Sequence, residues 1–314
     1  MDSKTLAEDE VFRGDWYHSI ELAPGLYTEG LDFRNIELTR TLLRRFDVQG
    51  LRCLDIGVED GMFSVLFKRR GANEVVGYDR LSLTHRIDLV RNALEVDFEY
   101  LHGFSLAELP ARLEEAGHEP FDIVLFSGVL YHMIDPLAGV LLARGLVRNG
   151  GLMVLETAGI VDDQMAMHFN HCGRFNPGTC YWLASVGCLD YMARFSRLQP
   201  IDCTYFLTPK KHRRELGLDQ GRVAIVCRAV DRHLPDEEDT WMTHDTNQHV
   251  QIDFDEFLDW NRLESSRPPV PYAAPDGLVD RMSTGGIDVY ESMKATPAHE
   301  LGTVDRKLSL NASS

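Results

Sequence analysis

The chain has 314 residues, 44% of them hydrophobic, and 49 acidic against 32 basic residues give a net charge of −17. That length and apolar content suit one large folded domain or a domain with an appendage. The acidic excess counts against nucleic acid as a partner, because phosphate binding needs a basic face, and no apolar run approaches the ~20 residues that a membrane-spanning helix requires.

In chain order, the polar start "MDSKTLAEDE" reads as neither a signal nor a transit peptide. Residues 1–35 form a cover segment ahead of the core and contain "WYHSIELAPGLYTEG" at 16–30. "RCLDIGV" predicts a strand, and residues 61–70 a helix stopped by Gly71. "EVVGYD" predicts a second strand, and "SLTHRIDLVRNAL" a helix with Ser82 as N-cap. "FEYLHG" predicts a third strand, and "ELPARLEEAG" a short helix ended by Gly117. "FDIVLFSG" is apolar enough for a central strand. "DPLAGVLLARGLVRNGG" places Asp135 at N-cap and Pro136 at N1 of a helix, and "LMVLET" predicts a fifth strand. Such alternation implies a parallel sheet with helices on both faces. "IDCTYFL" and "RVAIVCRAV" predict two closing strands, joined by the basic turn Lys210 to Arg214. The expected fold is therefore α/β: a doubly wound, mostly parallel seven-stranded sheet over residues 36–230, with a C-terminal extension at 231–314. That extension carries Trp241, Phe254, Phe257, Leu258, Trp260 and Tyr272, too many large apolar groups for a solvated tail, and its last residues are expected to be mobile.

The first strand runs into "LDIGVEDGMFS". Gly57 and Gly61 let the chain bend close to a ligand, Asp55 ends the strand, and Asp60 would repel a pyrophosphate but suits a cation. Asp79 ends the second strand, where an acid can accept both hydroxyls of a ribose. Gly103, Phe104 and Ser105 end the third strand, where an adenine would lie.

Three further phrases, "WYHSIELAPGLYTEG", "GVLYHMIDPL" (128–137) and "VLET" (154–157), give the chain a family resemblance. In combination it resembles the class I (Rossmann-like) S-adenosyl-L-methionine (SAM)-dependent methyltransferases. Within that class it is similar to the group that holds the bacterial tRNA 5-hydroxyuridine carboxymethyl transferases and their small-molecule methyltransferase relatives. The resemblance covers about residues 12 to 230 and includes "YWLASVGCLDYMARF" (181–195), which looks like the helix leading to the sixth strand. It implies SAM as cofactor, held by Asp55, Gly57, Asp60, Gly61, Asp79, Arg80, Gly103, Phe104, Ser105 and Ser127. The loop after the fourth strand and the end of the fifth face the reacting atoms, which makes His132 the first candidate base, with Tyr131 and Glu156 beside it. Trp16, Tyr17, His18, Arg34, His168, His171, Tyr181 and Trp182 are the candidate acceptor-site residues.

Met133, Ile134 and Asp135 follow the "YH" pair where the tRNA enzymes are basic, and no lysine occurs between Lys68 and Lys210. Plain SAM is favoured over carboxy-SAM on that ground, although Arg34 and Arg80 could still supply a cation. His168, His171, Cys172, Cys180 and Cys188 have no standard zinc spacing, so no metal is expected. The six cysteines read as reduced thiols of a cytoplasmic protein. The expectation is methyl transfer to an oxygen, less readily a nitrogen, of a small molecule in natural-product biosynthesis. A tRNA wobble-uridine alkyltransferase and a non-catalytic SAM-binding scaffold are the alternatives. The expected partner is the small-molecule acceptor; a membrane and nucleic acid are not expected, and a homodimer is left open.

Overall fold

Each of the seven runs expected as strands contributes a strand to the computed structural model, which describes residues 9–30, 38–40, 42–43, 46–162, 164–175, 180–207 and 217–231. Arg34, the basic run 210–214 and the C-terminal aromatic residues lie outside the described residues. The rest falls into two compact units, one up to Ser105 and one from Leu106.

The first unit opens with a strap. Trp16 is fully buried, and its indole N–H reaches the carbonyls of Val11 and Phe12 at 3.2 and 3.0 Å. β1 (Glu21–Ala23) and β2 (Leu26–Tyr27) pair antiparallel. The Thr28 hydroxyl donates to the His18 carbonyl at 2.6 Å and accepts from the Ile20 amide at 2.8 Å. The chain then crosses itself so tightly that a Cβ on Gly30 would lie 2.4 Å from the Ser19 nitrogen.

β3 (Arg52–Ile56), β4 (Glu74–Asp79) and β5 (Glu99–His102) form parallel pairs, β3 with β4 and β4 with β5. α1 (Met62–Arg69) connects β3 to β4 and buries every residue from Met62 to Phe67. α2 (Thr84–Leu94) connects β4 to β5. Ser82 is not its N-cap as expected: Leu83 occupies that place without a side-chain cap, and its amide is taken by the Tyr100 hydroxyl of β5 at 3.0 Å. A tertiary contact sets the helix start there, and the local serine bonds Thr84 instead.

In the second unit, α3 (Leu109–Glu115) leads to β6 (Phe121–Ser127), a 3-10 turn at Leu130–His132 and α4 (Pro136–Gly145). Asp135 caps α4 as expected, accepting from the Ala138 amide at 3.0 Å. β7 (Val147–Ile160) pairs parallel with β6. β8 (Met167–Phe169), β9 (Trp182–Ser185) and α5 (Val186–Phe195) follow, then β10 (Leu198–Leu207) and β11 (Gln220–Ala229). β11 lies between β7 and β10 and is antiparallel to both. The seven expected strands are thus β3 to β7, β11 and β10, in the mostly parallel α/β arrangement of a class I methyltransferase. The segment 181–195 departs from a continuous helix. Its first part is β9, because Gly159 of β7 lets the Ala184 carbonyl approach where a Cβ would sit at 2.8 Å. The helix begins only after the Ser185 hydroxyl caps the Cys188 amide at 3.1 Å.

Arg144 is fully buried and ties three segments together. It donates to the carbonyls of Val147, Arg197 and Val230 at 2.9, 3.2 and 2.8 Å. No described helix is long and apolar enough to cross a membrane.

Gly77 makes the packing of the first unit testable. A Cβ there would lie 2.8 Å from Val58 Cγ2 and 3.1 Å from Ser64 Oγ. Gly77→Ala is expected to destabilise the chain by about 1–3 kcal/mol, as overpacking does, read from the urea midpoint. A midpoint equal to the parent's would show that Val58 and Ser64 move aside at no cost.

Candidate active site

The turn after β3 is left-handed at Gly57 (φ 86°), Glu59 (φ 47°) and Gly61 (φ 84°). Glycine adopts this region freely, whereas a residue with a Cβ is strained there, so Glu59 must be held. Its amide donates to Asp79 Oδ2 at 3.2 Å, and Asp79 Oδ1 accepts from the Leu81 amide at 2.9 Å. These two amides fix the Asp79 carboxylate at the end of β4 and leave each oxygen a second lone pair. Asp55 Oδ2 accepts from the Ser64 hydroxyl at 2.8 Å, while its Oδ1 is buried without a hydrogen-bond partner. Burial pushes Asp55 up to about 7. Glu59 also rises to about 7, through burial and then the charges of Asp60 and Asp79. Burial raises Asp79 as well, against the pull of its two amides.

Farther along, the Tyr78 hydroxyl donates to the Phe104 carbonyl at 2.7 Å, with the two rings 5.1 Å apart. Gly103 (φ 82°) has no atom within 4 Å of its Cβ position, and Ser105 and Arg80 are exposed. The expected cofactor residues on β3, β4 and β5 therefore sit at the carboxyl ends of three paired strands.

Asp60 takes a different place from the one expected. It is fully buried; Oδ2 accepts from the amides of Tyr17 and His18 at 2.6 and 2.8 Å, and Oδ1 from Arg86 at 3.2 Å. It holds the strap rather than facing a ligand. Trp16 is likewise a core residue and not an acceptor contact. His18 is buried, which lowers its pKa to about 4 against the raising effect of Asp60. Tyr17 stays half-buried.

In the second unit, Glu156 is also a correction. It is fully buried and its carboxylate is taken: Arg222 donates from Nε at 2.6 Å and Nη2 at 2.7 Å, Ser127 Oγ at 2.8 Å and the Gly128 amide at 3.1 Å. Glu156 is thus a fixed ion-pair partner and not a base open to an acceptor, and the Ser127 hydroxyl is turned toward it. The Arg222 guanidinium lies 5.0 Å from the Tyr131 ring centroid. Tyr131 is buried, and His132 beside it is exposed, with the two rings 4.0 Å apart. Tyr181 and Trp182, at the start of β9, hold this turn at two points: the Tyr181 amide donates to the Tyr131 carbonyl at 2.8 Å, and Trp182 Nε1 to the Ile134 carbonyl at 3.0 Å. The structure so brings His132, Tyr131, Tyr181 and Trp182 together. His168 meets Phe175 edge-on at 5.8 Å, and His171 is exposed on the 3-10 turn His171–Gly173.

Two residues escaped the sequence reading. Arg222 is a charge inside an apolar strand, which signals a buried partner. Asn170 carries no such signal: its amide nitrogen donates to the Cys180 carbonyl at 2.9 Å and its oxygen accepts from the Phe175 amide at 2.8 Å. Burial pushes the Cys180 and Cys188 thiols up to about 11, away from the thiolate form.

A match to the family described as "Methyltransferase domain" spans residues 31–187. The chain belongs to this family. Among its relatives, a ubiquinone biosynthesis O-methyltransferase of Cereibacter sphaeroides is 37% identical over 124 residues, 38% of this chain and 47% of that protein. A tRNA U34 carboxymethyltransferase of Dichelobacter nodosus is 33% identical over 150 residues, 48% of this chain and 46% of that protein. The chain spans about half the length of the curated relatives it matches. A solved S-adenosylmethionine-dependent methyltransferase of Mesorhizobium loti is 19% identical and has a TM-score of 0.44; the match covers 62% of this chain and 96% of that one.

SAM is the cofactor of this methyltransferase family, and the first unit fits it. SAM carries a sulfonium and an ammonium charge. The turn offers desolvated carboxylates and, on Asp55, a buried acceptor atom without a partner. Asp79 offers a fixed carboxylate of the kind that accepts ribose hydroxyls.

The raised acids give the family member a pH signature. Asp55 and Glu59 rise from ordinary values of 3.8 and 4.5 to about 7 in the folded chain. Through that window the folded chain keeps protons that the unfolded chain has released, so stability falls as pH rises from ~4 to ~7 and then levels off. Asp55→Asn is expected to flatten this slope in thermal unfolding of the ligand-free protein. A variant with the parent's slope would show that Asp55 is already ionised in the folded state.

Proposed function

We propose that this chain is a SAM-dependent methyltransferase that methylates an oxygen of a small molecule. The observation that carries the reading is His132: an exposed imidazole on a turn pinned by Tyr181 and Trp182, next to aromatic side chains. SAM, when bound, supplies an electrophilic methyl group. The chain's part is to bind, orient and deprotonate. Asp79 holds hydroxyls at its two oxygens, and the buried acids of the turn favour a cation over a neutral product. His132 accepts the proton of the acceptor hydroxyl at an imidazole nitrogen. Tyr131, Tyr181 and Trp182 supply aromatic side chains beside the base, suited to hold an acceptor in place.

Plain SAM is supported over carboxy-SAM. The charge of Arg222, the buried cation of the second unit next to Tyr131, is met by Glu156. The ubiquinone relative is an O-methyltransferase, which supports oxygen as acceptor, whereas the carboxymethyltransferase relative acts on tRNA U34, which points to RNA. The net charge of −17 counts against RNA. A tailoring step on a small molecule in the cytoplasm fits these features best.

Asp79→Ala is expected to weaken binding of S-adenosylhomocysteine (SAH) by about 1–3 kcal/mol, the penalty for buried polar partners left unpaired, measured by calorimetry. Equal affinity in a folded variant would remove Asp79 from the site.

His132→Ala should lower turnover by ~10²–10⁴ with SAH affinity unchanged, the range for loss of a general base. Full turnover in that variant would reject His132 as the base.

A further inference from the structure

We infer that Asp60 is a positioning residue that latches the N-terminal strap onto the cofactor turn, so that strap docking and cofactor binding reinforce one another. The inference rests on the reading of the turn after β3 as the SAM site. One carboxylate accepts from two consecutive strap amides, Tyr17 at 2.6 Å and His18 at 2.8 Å, and from Arg86 of α2 at 3.2 Å. Arg86 also lies 4.0 Å from Glu59 and 5.9 Å from the Trp16 ring. Strap, turn and helix therefore meet at one fully buried acid.

The strap is a built element. Trp16 and Ile20 are fully buried, Thr28 braces it from within, and the crossing at Gly30 leaves no room for a side chain. It docks as a unit, and its docking hydrogen bonds come from backbone amides that any sequence would supply. What the sequence must provide is the acceptor.

The path to the cofactor is short. Asp79 holds the Glu59 amide, Glu59 is left-handed and has little freedom, and Asp60 is the next residue. A ligand that fixes Asp79 fixes the Glu59 peptide, and with it the direction of the Asp60 side chain. A docked strap does the same in reverse, as linkage requires.

The experiment is amide hydrogen exchange of the full chain, with and without SAH, read at residues 16–20 in the parent and in Asp60→Ala and Asp60→Asn. In the parent, SAH should slow this exchange ~10-fold or more, the scale of a hydrogen bond to a charged group. Asp60→Ala should lose that slowing and bind SAH ~10-fold more weakly. Asp60→Asn should keep part of both, because its amide oxygen still accepts. If SAH binds the parent but leaves exchange at 16–20 unchanged, or if Asp60→Ala keeps the SAH-dependent slowing, the latch is wrong. Where Asp60→Ala does not fold, Asp60→Asn carries the test: SAH-dependent slowing and SAH affinity both equal to the parent's overturn the latch, because a neutral amide oxygen accepts more weakly than a carboxylate. A parent chain that binds no SAH overturns the methyltransferase reading itself, a distinct result.

Discussion

Four carboxylates lie at the ends of β3 and β4, and the path of the chain in the first unit follows from how each is compensated. Asp79 is held by two amides, Asp60 by two amides and Arg86, Asp55 by the Ser64 hydroxyl, and Glu59 by Arg86 at 4.0 Å. Buried charge without such partners would cost several kcal/mol. The amides come from the turn and the strap, so compensating the acids also fixes the backbone. Compensation is least complete at Asp55 and Glu59, and these are the two whose pKa values rise to about 7. The turn is thus left with an unmet demand for positive charge, which a sulfonium ligand can supply.

The second unit solves a similar problem in a different way. Glu156 has a single dedicated cation, Arg222, in bidentate contact, and Ser127 and Gly128 complete its shell. Such a pair contributes little net stability against an apolar replacement of the same volume, yet breaking it leaves a buried charge exposed to no solvent. Its geometric effect is larger. The ion pair joins β11 to β7, and the central carbon of the guanidinium lies 5.0 Å from the Tyr131 ring centroid. The turn that carries Tyr131 and His132 therefore lies beside a buried ion pair.

Most strands were legible because glycine turns and apolar runs are local signals. Glu74–Asp79 and Phe121–Ser127 coincide with "EVVGYD" and "FDIVLFS", and Asp135 and Pro136 mark the start of α4. Errors arose where the deciding partner is remote. Asp60 meets amides 42 and 43 residues away, and Glu156 meets an arginine 66 residues away. A sequence displays an acid in a motif but not which donors reach it, so both acids were taken for ligand or catalytic groups. For Trp16 too, burial among distant residues, not the local phrase "WYH", sets its place in the fold. The strand at Trp182–Ser185 depends on Gly159, a backbone approach that no periodicity reveals.

The charge balance can now be placed in space. Among the described residues, the buried charged groups are Arg70, Arg144, Arg197 and Arg222 against Asp55, Asp60, Asp79, Glu156 and Asp190. Among the described residues, burial thus removes nearly equal numbers of each sign. Arg70 and Arg144 show what the interior cations do instead. Both are bound to backbone carbonyls, Arg70 to those of Leu43 and Phe46 and Arg144 to those of Val147, Arg197 and Val230. Carbonyl acceptors keep these desolvated guanidiniums hydrogen-bonded inside the protein. A polyanion approaching such a protein meets repulsion at long range and finds these arginines already committed.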